Sequence, residues 1–399
     1  KSIIGSDPDG DADRLVSFSP VTSTASGTTH NLTISADTSG FTGHTTDDYT
    51  VNAGTATQTL VLLPGQSLLP GAANVADAVN GAVPTTLVAG TTYDVTVVAV
   101  DSGFNISTSS DGNAVSVVTA DTKDTEPSAD TFSSGSATFT IDPVKADTGY
   151  TVTASSALTD NASESFNVGE GAASQIIALL PGETFDEGAT SFAGAKSGTP
   201  SAQTVNSAFN VTLYAVDSRY NVIDDDSTVA SFTSADPNDT ETGFSSTLTN
   251  GTATVSVTNL TATAAPTVTN HNVTTAAVGS YTGLASANYT VNAGTATQTI
   301  VVLPGQTHVW GQSSLAAAVT GTPTDQTVDS AFTVTVYAVD DYFNASSSSS
   351  VGTSVSLTTN DANDTNPSAV NFGDSTWEDY EAQFSVTHKT STASGTTHH

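Results

Sequence analysis

The sequence predicts an all-β protein built from tandem antiparallel β-sandwich domains. One phrase, YTVNAGTATQTLVLLPGQS at Tyr49–Ser67, returns at Tyr289–Thr307 and, in diverged form, at Phe166–Thr184. These positions give a repeat of about 120 residues, which is the size of a whole domain. Each repeat also contains about seven short runs of β-branched and alternating residues between turn signals, with no convincing helix.

Composition limits the possible partners. The chain has 399 residues, with 40 acidic residues against 7 Lys and Arg and a net charge of −33. A field of this sign repels nucleic acid and anionic lipid, so neither is an expected partner. Divalent cations suit the surface better.

The absence of cysteine excludes disulfides, Cys-ligated zinc and a thiol nucleophile, so an exported form needs no oxidation. The sequence contains no apolar run of about 18 residues, so membrane insertion is not expected. The chain begins at Lys and shows no signal peptide, which indicates a mature or internal segment.

The repeats predict four domain segments. Residues 1–48 form the C-terminal half of a domain, because SDPDGDA near the start matches SADPNDTE in mid-repeat. Complete domains follow at 49–165 and 166–288, and 289–399 is a domain that is incomplete at its C-terminal end. Strands are predicted in the first complete domain at Thr55–Leu63, Tyr93–Val100, Ala114–Thr119, Ala137–Ile141, Tyr150–Ala154 and Glu164–Val168, and later at Asn210–Val216 and Thr333–Val339.

The two ends of the chain overlap in repeat phase. STASGTTH at 391–398 repeats the same letters at 23–30. Either the chain is a segment of a much longer array, which we favour as the simpler source, or neighbouring chains complete the end domains by strand addition.

A recurring turn, D-x-x-[FY]-N, follows each central strand and contains the pairs Asp101/Asn105, Asp217/Asn221 and Asp340/Asn344. Its polar residues could bind calcium or carry a glycan. The structural alternative is that they cap a tight turn while the aromatic residue packs inward. Recurrence in every repeat favours the structural alternative.

Acidic loops provide the metal candidates. Asp7, Asp9, Asp11 and Asp13 alternate as in the first half of a calcium loop, but Phe18 stands where an EF-hand needs Glu. A looser Ca²⁺ site remains the hypothesis for these four residues. The pairs Asp121/Asp124, Asp236/Asp239 and Asp361/Asp364, and the run Asp224–Asp226, are expected to be solvated loops.

Asn-X-Ser/Thr sequons are only modestly more frequent than chance predicts for a chain so rich in Ser and Thr. Asn105 with Asn344, and Asn238 with Asn363, fall at equivalent turns that should be exposed. Covalent glycans are therefore predicted for an exported chain, with candidate positions at Asn31, Asn105, Asn161, Asn238, Asn272, Asn344 and Asn363.

Enzyme chemistry finds little support. The 7 histidines form no H-E-x-x-H motif and pair with no visible nucleophile motif. No Gly-rich phosphate loop precedes a helix. We therefore expect no catalytic residues and no certain cofactor, with Ca²⁺ and glycans as the open candidates.

The motif V-T-V-x-A-V-D-x-x-[FY]-N occurs at 95–105 and 211–221 and again in the copy that ends at Asn344, and SGTPSAQT lies at 197–204. Together they resemble bacterial Ig-like repeat modules of large surface proteins, the broad invasin/intimin-like class. The resemblance covers nearly the whole chain and implies Ig-like sandwiches used as a spacer, adhesin stalk or cell-surface polymer.

The expected function is therefore structural: an extracellular filament, surface layer or stalk on the cell surface whose partners are other copies of itself. The alternatives are an adhesin that binds a glycan or host protein, and the spacer region of a secreted enzyme. A non-repeated terminal domain would indicate the adhesin, and a catalytic domain in the same gene would indicate the spacer.

Overall fold

The computed structural model describes residues 17–35, 42–239, 243–263, 270–348, 350–374, 378–392 and 398. The calcium candidates Asp7, Asp9, Asp11 and Asp13 lie outside the described residues. The chain divides into two compact units, 1–171 and 172–399. Both are built from short strands, so the all-β prediction is confirmed. In the described part of the chain, no helix has the length and hydrophobicity needed to cross a membrane.

The first unit has 3-10 turns at Thr24–Ser26 and Thr108–Ser110 and one α-helical turn, α1 (Val75–Ala78). Its strands are β1 (Thr33–Ile34), β2 (His44–Thr45), β3 (Gln58–Leu62), β4 (Ser67–Leu68), β5 (Val79–Asn80), β6 (Leu87–Val88), β7 (Tyr93–Val100), β8 (Ala114–Thr119), β9 (Asp130–Thr131), β10 (Ser136–Ile141), β11 (Asp147–Tyr150), β12 (Val152–Ser155) and β13 (Phe166–Gly169).

Two sheets enclose the main core of this unit. One has the strand order β10-β7-β3 and the other β12-β8-β9, while β6, β11 and β13 form a third small sheet. Alternate residues of β10 and β12 are buried, as a two-layer sandwich requires. The buried side chains of Val97, Phe139, Val117 and Val152 meet in one cluster.

Strand β3 is buried on both faces, which explains its continuous apolar sequence. Its second face is covered by the segment β4-α1-β5, where Ala78 packs against Leu60 and Val98. The helical turn differs from the expectation that the repeats contain no convincing helix. The helical turn forms because the side chain of Asn74 accepts a hydrogen bond from the N–H of Asp77, which caps its N-terminus.

The second unit has a matching α-helical turn, α2 (Leu315–Ala318). Its strands are β14 (Ala173–Leu179), β15 (Glu183–Phe185), β16 (Lys196–Gly198), β17 (Gln203–Thr204), β18 (Phe209–Asp217), β19 (Val229–Ser234), β20 (Phe244–Thr247), β21 (Thr252–Val257), β22 (Val273–Thr275), β23 (Thr282–Gly283), β24 (Val291–Asn292), β25 (Gln298–Val302), β26 (Gln306–His308), β27 (Val319–Gly321), β28 (Phe332–Val339), β29 (Ser354–Val355), β30 (Val370–Asn371) and β31 (Glu381–Val386).

Two successive repeats make up this unit. The earlier repeat pairs its strands in the orders β21-β18-β14-β23 and β20-β19-β22, and the later one in the orders β25-β28-β31 and β29-β30. The core of the earlier repeat also includes Trp310 and Ala345 from the later one, so the two repeats share buried surface.

Strand pairing places the ends of the repeats within the recurring phrase. β13 pairs with β11 and β6, and β24 pairs with β17, so each belongs to the sheets of the repeat before it. The first letters of the phrase therefore close one sandwich, and its TATQ letters begin the next. The four domain segments otherwise stay a prediction.

Candidate functional site

Each long central strand, β7, β18 and β28, leads into the D-x-x-[FY]-N turn. The aromatic residue of the turn has a left-handed backbone, with φ of 57° at Phe104, 60° at Tyr220 and 58° at Phe343. A bulky residue keeps such a conformation only where its surroundings impose it. All three rings are buried, so packing of the aromatic ring helps to fix the turn.

The aspartate of the turn is held by backbone donors. In the first unit, Oδ1 of Asp101 accepts hydrogen bonds from the N–H groups of Gly103 and Asn105 at 2.9 and 3.0 Å, and Oδ2 accepts one from Gly54 at 2.7 Å. Asp340 repeats this pattern. Burial alone would raise the pKa of Asp101, but the hydrogen bonds from Asn105 and Gly54 hold it below its ordinary value. These contacts match the capping alternative for the turn.

Asn344 and Asn105 each bind the preceding repeat at two points, an arrangement that we call the Asn clamp. Nδ2 of Asn344 donates to the carbonyl oxygen of Leu260 at 2.9 Å, and its Oδ1 accepts the N–H of Ala262 at 2.9 Å. In the first unit, Asn105 is bonded in the same way to the carbonyl of Val21 and the N–H of Ser23, both at 2.8 Å.

The segment held by the clamp is also held from its own repeat. Oδ2 of the buried Asp236 accepts the N–H groups of Leu260 and Thr261 at 2.7 and 2.8 Å, and its Oδ1 accepts the hydroxyl of Thr261 at 2.7 Å. Residues 260–262 are therefore fixed by a carboxylate on one side and by the Asn344 amide on the other. Buried polar atoms with all partners present give a well-defined geometry.

The backbones of successive repeats approach so closely at Gly311 and at Gly71 that neither position has room for a Cβ atom. A Cβ on Gly311 would overlap with Oγ1 of Thr261, and its φ is +73°. Gly71 meets Thr22 in the same way in the first unit, with a φ of +82°. Glycine therefore lets the backbone of the later repeat lie directly against the segment before it.

Further polar bonds surround the clamp in the second unit. Nδ2 of Asn238 donates to Oγ1 of Thr261 at 2.9 Å and to the carbonyl oxygen of Trp310 at 3.2 Å. The amide of Gln312 donates to Oδ1 of Asn238 at 3.0 Å. The acidic loop of the earlier repeat is thus part of the contact with the later one.

The structure corrects two expectations about exposure. The sequon residues Asn105 and Asn344 are buried and bonded through their amide nitrogens, so the prediction that these turns are exposed is wrong. The loops at Asp121, Asp236 and Asp361 were expected to be solvated, but these three carboxylates are buried and accept backbone N–H groups.

The other sequon residues differ in accessibility. Asn31 and Asn363 are exposed. Asn161, Asn238 and Asn272 are half-buried, and each donates through its amide nitrogen to another group of the chain. Glycosylation itself stays a prediction at all seven positions.

Histidines that are scattered in the sequence come together near the end of the chain. Asp361, His388 and His398 each offer a ligand atom, and these atoms lie within 4.8 Å of one another. Nδ1 of His388 lies 2.6 Å from Oδ2 of Asp364, and the two imidazoles are stacked. Stacked rings do not direct their nitrogens at one point, so the arrangement is better suited to packing than to chelation.

Sequence reasoning missed the partners of Asn105 and Asn344 in the preceding repeat. The expected local cap is present but incomplete, because the amides of Asn105 and Asn344 bond both to the Asp of their own turn and to the preceding repeat. A signal was present, because an Asn four residues after the Asp recurs in every repeat although the Asp alone can cap the turn.

No family model matches this chain, and no curated protein matches it. Solved structures that are similar include FdeC, an adhesin of Escherichia coli, at 16% identity and a TM-score of 0.29, covering 84% of this chain and 91% of that one. The adhesin InvE of Yersinia pseudotuberculosis is similar at 17% identity and a TM-score of 0.23, covering 59% and 67%. Domains 5-6 of the S-layer protein SbsC are similar at 19% identity and a TM-score of 0.19, covering 52% and 92%.

Bacterial adhesins, the kind of protein that the repeated motif resembles, are thus among the similar structures. At these identities and TM-scores the likeness carries no argument about what this chain binds or builds.

Proposed function

We propose that this chain is a structural protein of the cell exterior, in which tandem Ig-like sandwiches form a filament, surface layer or stalk. The observation that carries the proposal is the Asn clamp, which fixes one repeat to the next through paired hydrogen bonds in both units. A chain of independently mobile domains would not need a buried polar contact at this place.

The clamp suits a protein that transmits force along its length. Pulling on successive repeats loads the two hydrogen bonds of Asn344 to residues 260 and 262 together, while the bonds of Asp236 anchor that segment to its own repeat. Hydrogen bonds that must break at the same time resist extension better than bonds that break in turn. The shared burial of Trp310 and Ala345 adds an apolar contact at the same junction.

The acidic surface fits an exposed polymer. A net charge of −33 keeps neighbouring arrays soluble and apart. Divalent cations, including Ca²⁺, would reduce this repulsion and link acidic surfaces. We therefore propose divalent cations and further copies of the chain as partners, with covalent glycans as a modification of the exported form.

Electron microscopy of the native material tests the proposal. Regular filaments or sheets, with a period that corresponds to an integral number of repeats, are the expected result. Isolated and flexible beaded strings would contradict a filament or surface layer and favour a stalk that presents an adhesin.

A further inference from the structure

One strand of the last repeat has a free edge that is occupied in the repeat before it. β14 pairs with β18 on one side and with β23 on the other. The equivalent strand β25 pairs with β28, and among the described residues no strand lies on its other side. The backbone groups of Gln298–Val302 along that edge are available for strand addition.

The free edge also leaves an apolar side chain exposed. Val301 of β25 is 45% exposed, whereas the equivalent residues Val61 and Ala178 are each 1% exposed. These residues occupy the same position in the recurring phrase. The difference therefore comes from missing cover and not from a change in the pattern of the sequence.

The opposite sheet of this repeat lacks the same cover. In the repeat before it, β22 pairs with β19 and brings Thr275 opposite the buried Phe232. Leu357 is the equivalent of Phe232, but it is only half-buried, and no described strand lies where β22 would be. Both sheets are thus open at the place where one hairpin, β22-β23, closes the preceding sandwich.

The chain contains a second copy of that hairpin near its start. HNLTI at His30–Ile34 matches HNVTT at His271–Thr275, and both hairpins continue to a Thr-Gly pair, Thr42–Gly43 and Thr282–Gly283. A Cβ on either glycine would meet the facing strand, so the two hairpins share the same close turn geometry.

This first hairpin exposes the side chains that its counterpart buries. Ile34 is 69% exposed and Leu32 is 37% exposed. Their equivalents Thr275 and Val273 are 3% and 0% exposed. The hairpin therefore carries an apolar face that no strand among the described residues of the first unit covers.

We propose that hairpin β1-β2 of one copy closes the open sandwich of the last repeat in a second copy, so that chains join head to tail. By the register of the complete repeat, Ile34 would lie opposite Leu357, Thr33 opposite Thr358, and Thr42 opposite Gln298. Main-chain hydrogen bonds would provide the affinity, and Leu32 and Ile34 would fix the register. This joint rests on the proposed polymer and specifies how its subunits meet.

Engineered cysteines test the joint in the full chain, which has no native cysteine. Thr33→Cys with Thr358→Cys places the two thiols opposite each other in the proposed register, and both threonines are exposed. Thr233→Cys with Thr274→Cys is the matched control, because those residues pair within one chain. Antiparallel partners lie at the separation that a disulfide requires.

On mild oxidation, the Thr33/Thr358 double variant should give a ladder of dimers, trimers and longer chains in non-reducing gels, with the 33–358 peptide found by mass spectrometry. The control should give only a cross-linked monomer. Either single-cysteine variant can give no more than dimers. A double variant that stays un-cross-linked, or that cross-links only within one chain, overturns the proposal.

Two further variants test the proposed joint separately from the proposal that the chain forms a polymer. Ile34→Asp should lower the yield of cross-linked oligomers about tenfold, since it places a charge in a buried position. Thr33→Asp, tested in the Thr42→Cys with Gln298→Cys background, should leave the yield unchanged because the equivalent Thr274 is exposed. If Ile34→Asp and Thr33→Asp change the yield of cross-linked oligomers equally, each relative to its own parent, the proposed joint between chains is overturned. Native filaments seen by microscopy together with that result would leave the proposed polymer standing.

Discussion

Nδ2 of Asn344 donates a 2.9 Å hydrogen bond to the carbonyl oxygen of Leu260, which lies 84 residues earlier and in the preceding repeat. The acceptor's own N–H is held at 2.7 Å by Oδ2 of Asp236. Residues 260–262 are therefore hydrogen-bonded both to a carboxylate of their own sandwich and to an amide of the next. The two repeats joined in this way lie in one compact unit, residues 172–399.

Asn344→Ala should uncouple the two repeats of the second unit. The change removes both hydrogen bonds of the clamp. It leaves the buried carbonyl of Leu260 and the buried N–H of Ala262 without their partner, which costs roughly 2–4 kcal/mol. Calorimetry should show the later repeat melting separately and at lower temperature. Asn363→Ala serves as the control, because Asn363 is exposed and loses only a bond to Thr390. Equal effects from the two variants would contradict the role of the clamp.

Gly311→Ala tests whether the two repeats need their close approach. Its φ of +73° and the overlap of a new Cβ with Oγ1 of Thr261 both oppose the substitution. We expect a loss of about 3 kcal/mol in the free energy of unfolding.

Gly352→Ala is the matched control for Gly311→Ala. Gly352 has a similar φ of +76°, but a Cβ there would have nothing within 4 Å. It should lose only about 1 kcal/mol, the cost of the left-handed backbone alone. If denaturant unfolding gives both variants the same loss, the approach to Thr261 is not a constraint.

The sequence was sufficient to predict strands such as β7 and β8, but it was insufficient to predict the contacts between repeats. β7 and β8 have the bounds that the alternating pattern predicts, because a half-buried strand imposes that pattern on its own residues. Asn344, which contacts another repeat, and Asn363, which faces solvent, are both Asn residues in turns and in sequons. The recurrence of Asn four residues after Asp marks Asn344, but only the position of the neighbouring repeat shows what it contacts.

The burial of Asp236 could not be predicted from its loop either. Its carboxylate is bonded to a segment 24 and 25 residues later, so the loop sequence by itself looks like an ordinary solvated one. The exposed Val301 is the reverse case. Its equivalents in the other two copies of the recurring phrase, Val61 and Ala178, are buried, so only the missing neighbouring strand explains the exposure of Val301.

Asp239→Asn should stabilise the second unit above neutral pH. Burial raises the pKa of Asp239 to about 7, and the nearby Asp236 adds to the shift. The unfolded group titrates near 3.8, so the folded state binds the proton more tightly. Stability therefore falls as pH rises between these two values, and the asparagine removes that loss.

We expect Asp239→Asn to be more stable than the parent by about 1–2 kcal/mol at pH 8, with the difference shrinking toward pH 5. Urea unfolding at several pH values measures it. The exposed Asp325, changed to Asn, controls for the loss of one negative charge. A benefit of Asp239→Asn that does not depend on pH would contradict a titrating, buried carboxyl.

Removing divalent cations should lower the melting temperature of the native material, if Ca²⁺ links its acidic surfaces as proposed. A chelator in excess should reduce it by several degrees, about 3 °C or more, and added Ca²⁺ should restore it. A variant with Asp7, Asp9, Asp11 and Asp13 all changed to Asn should lose most of this response. Unchanged melting in the chelator would remove calcium from the proposal.

Glycan mapping should separate the sequons by their accessibility. Asn31 and Asn363 are exposed and can accept a glycan on the folded chain, whereas the amide nitrogens of Asn105 and Asn344 are buried in the clamp. A glycan on Asn344 would replace an N–H that the clamp uses and would separate the repeats. Mass spectrometry of peptides from native material should therefore find any N-linked glycans at Asn31 or Asn363, with Asn105 and Asn344 unmodified. Modified Asn344 in assembled material would contradict the clamp itself, since a glycosylated amide cannot occupy that buried position.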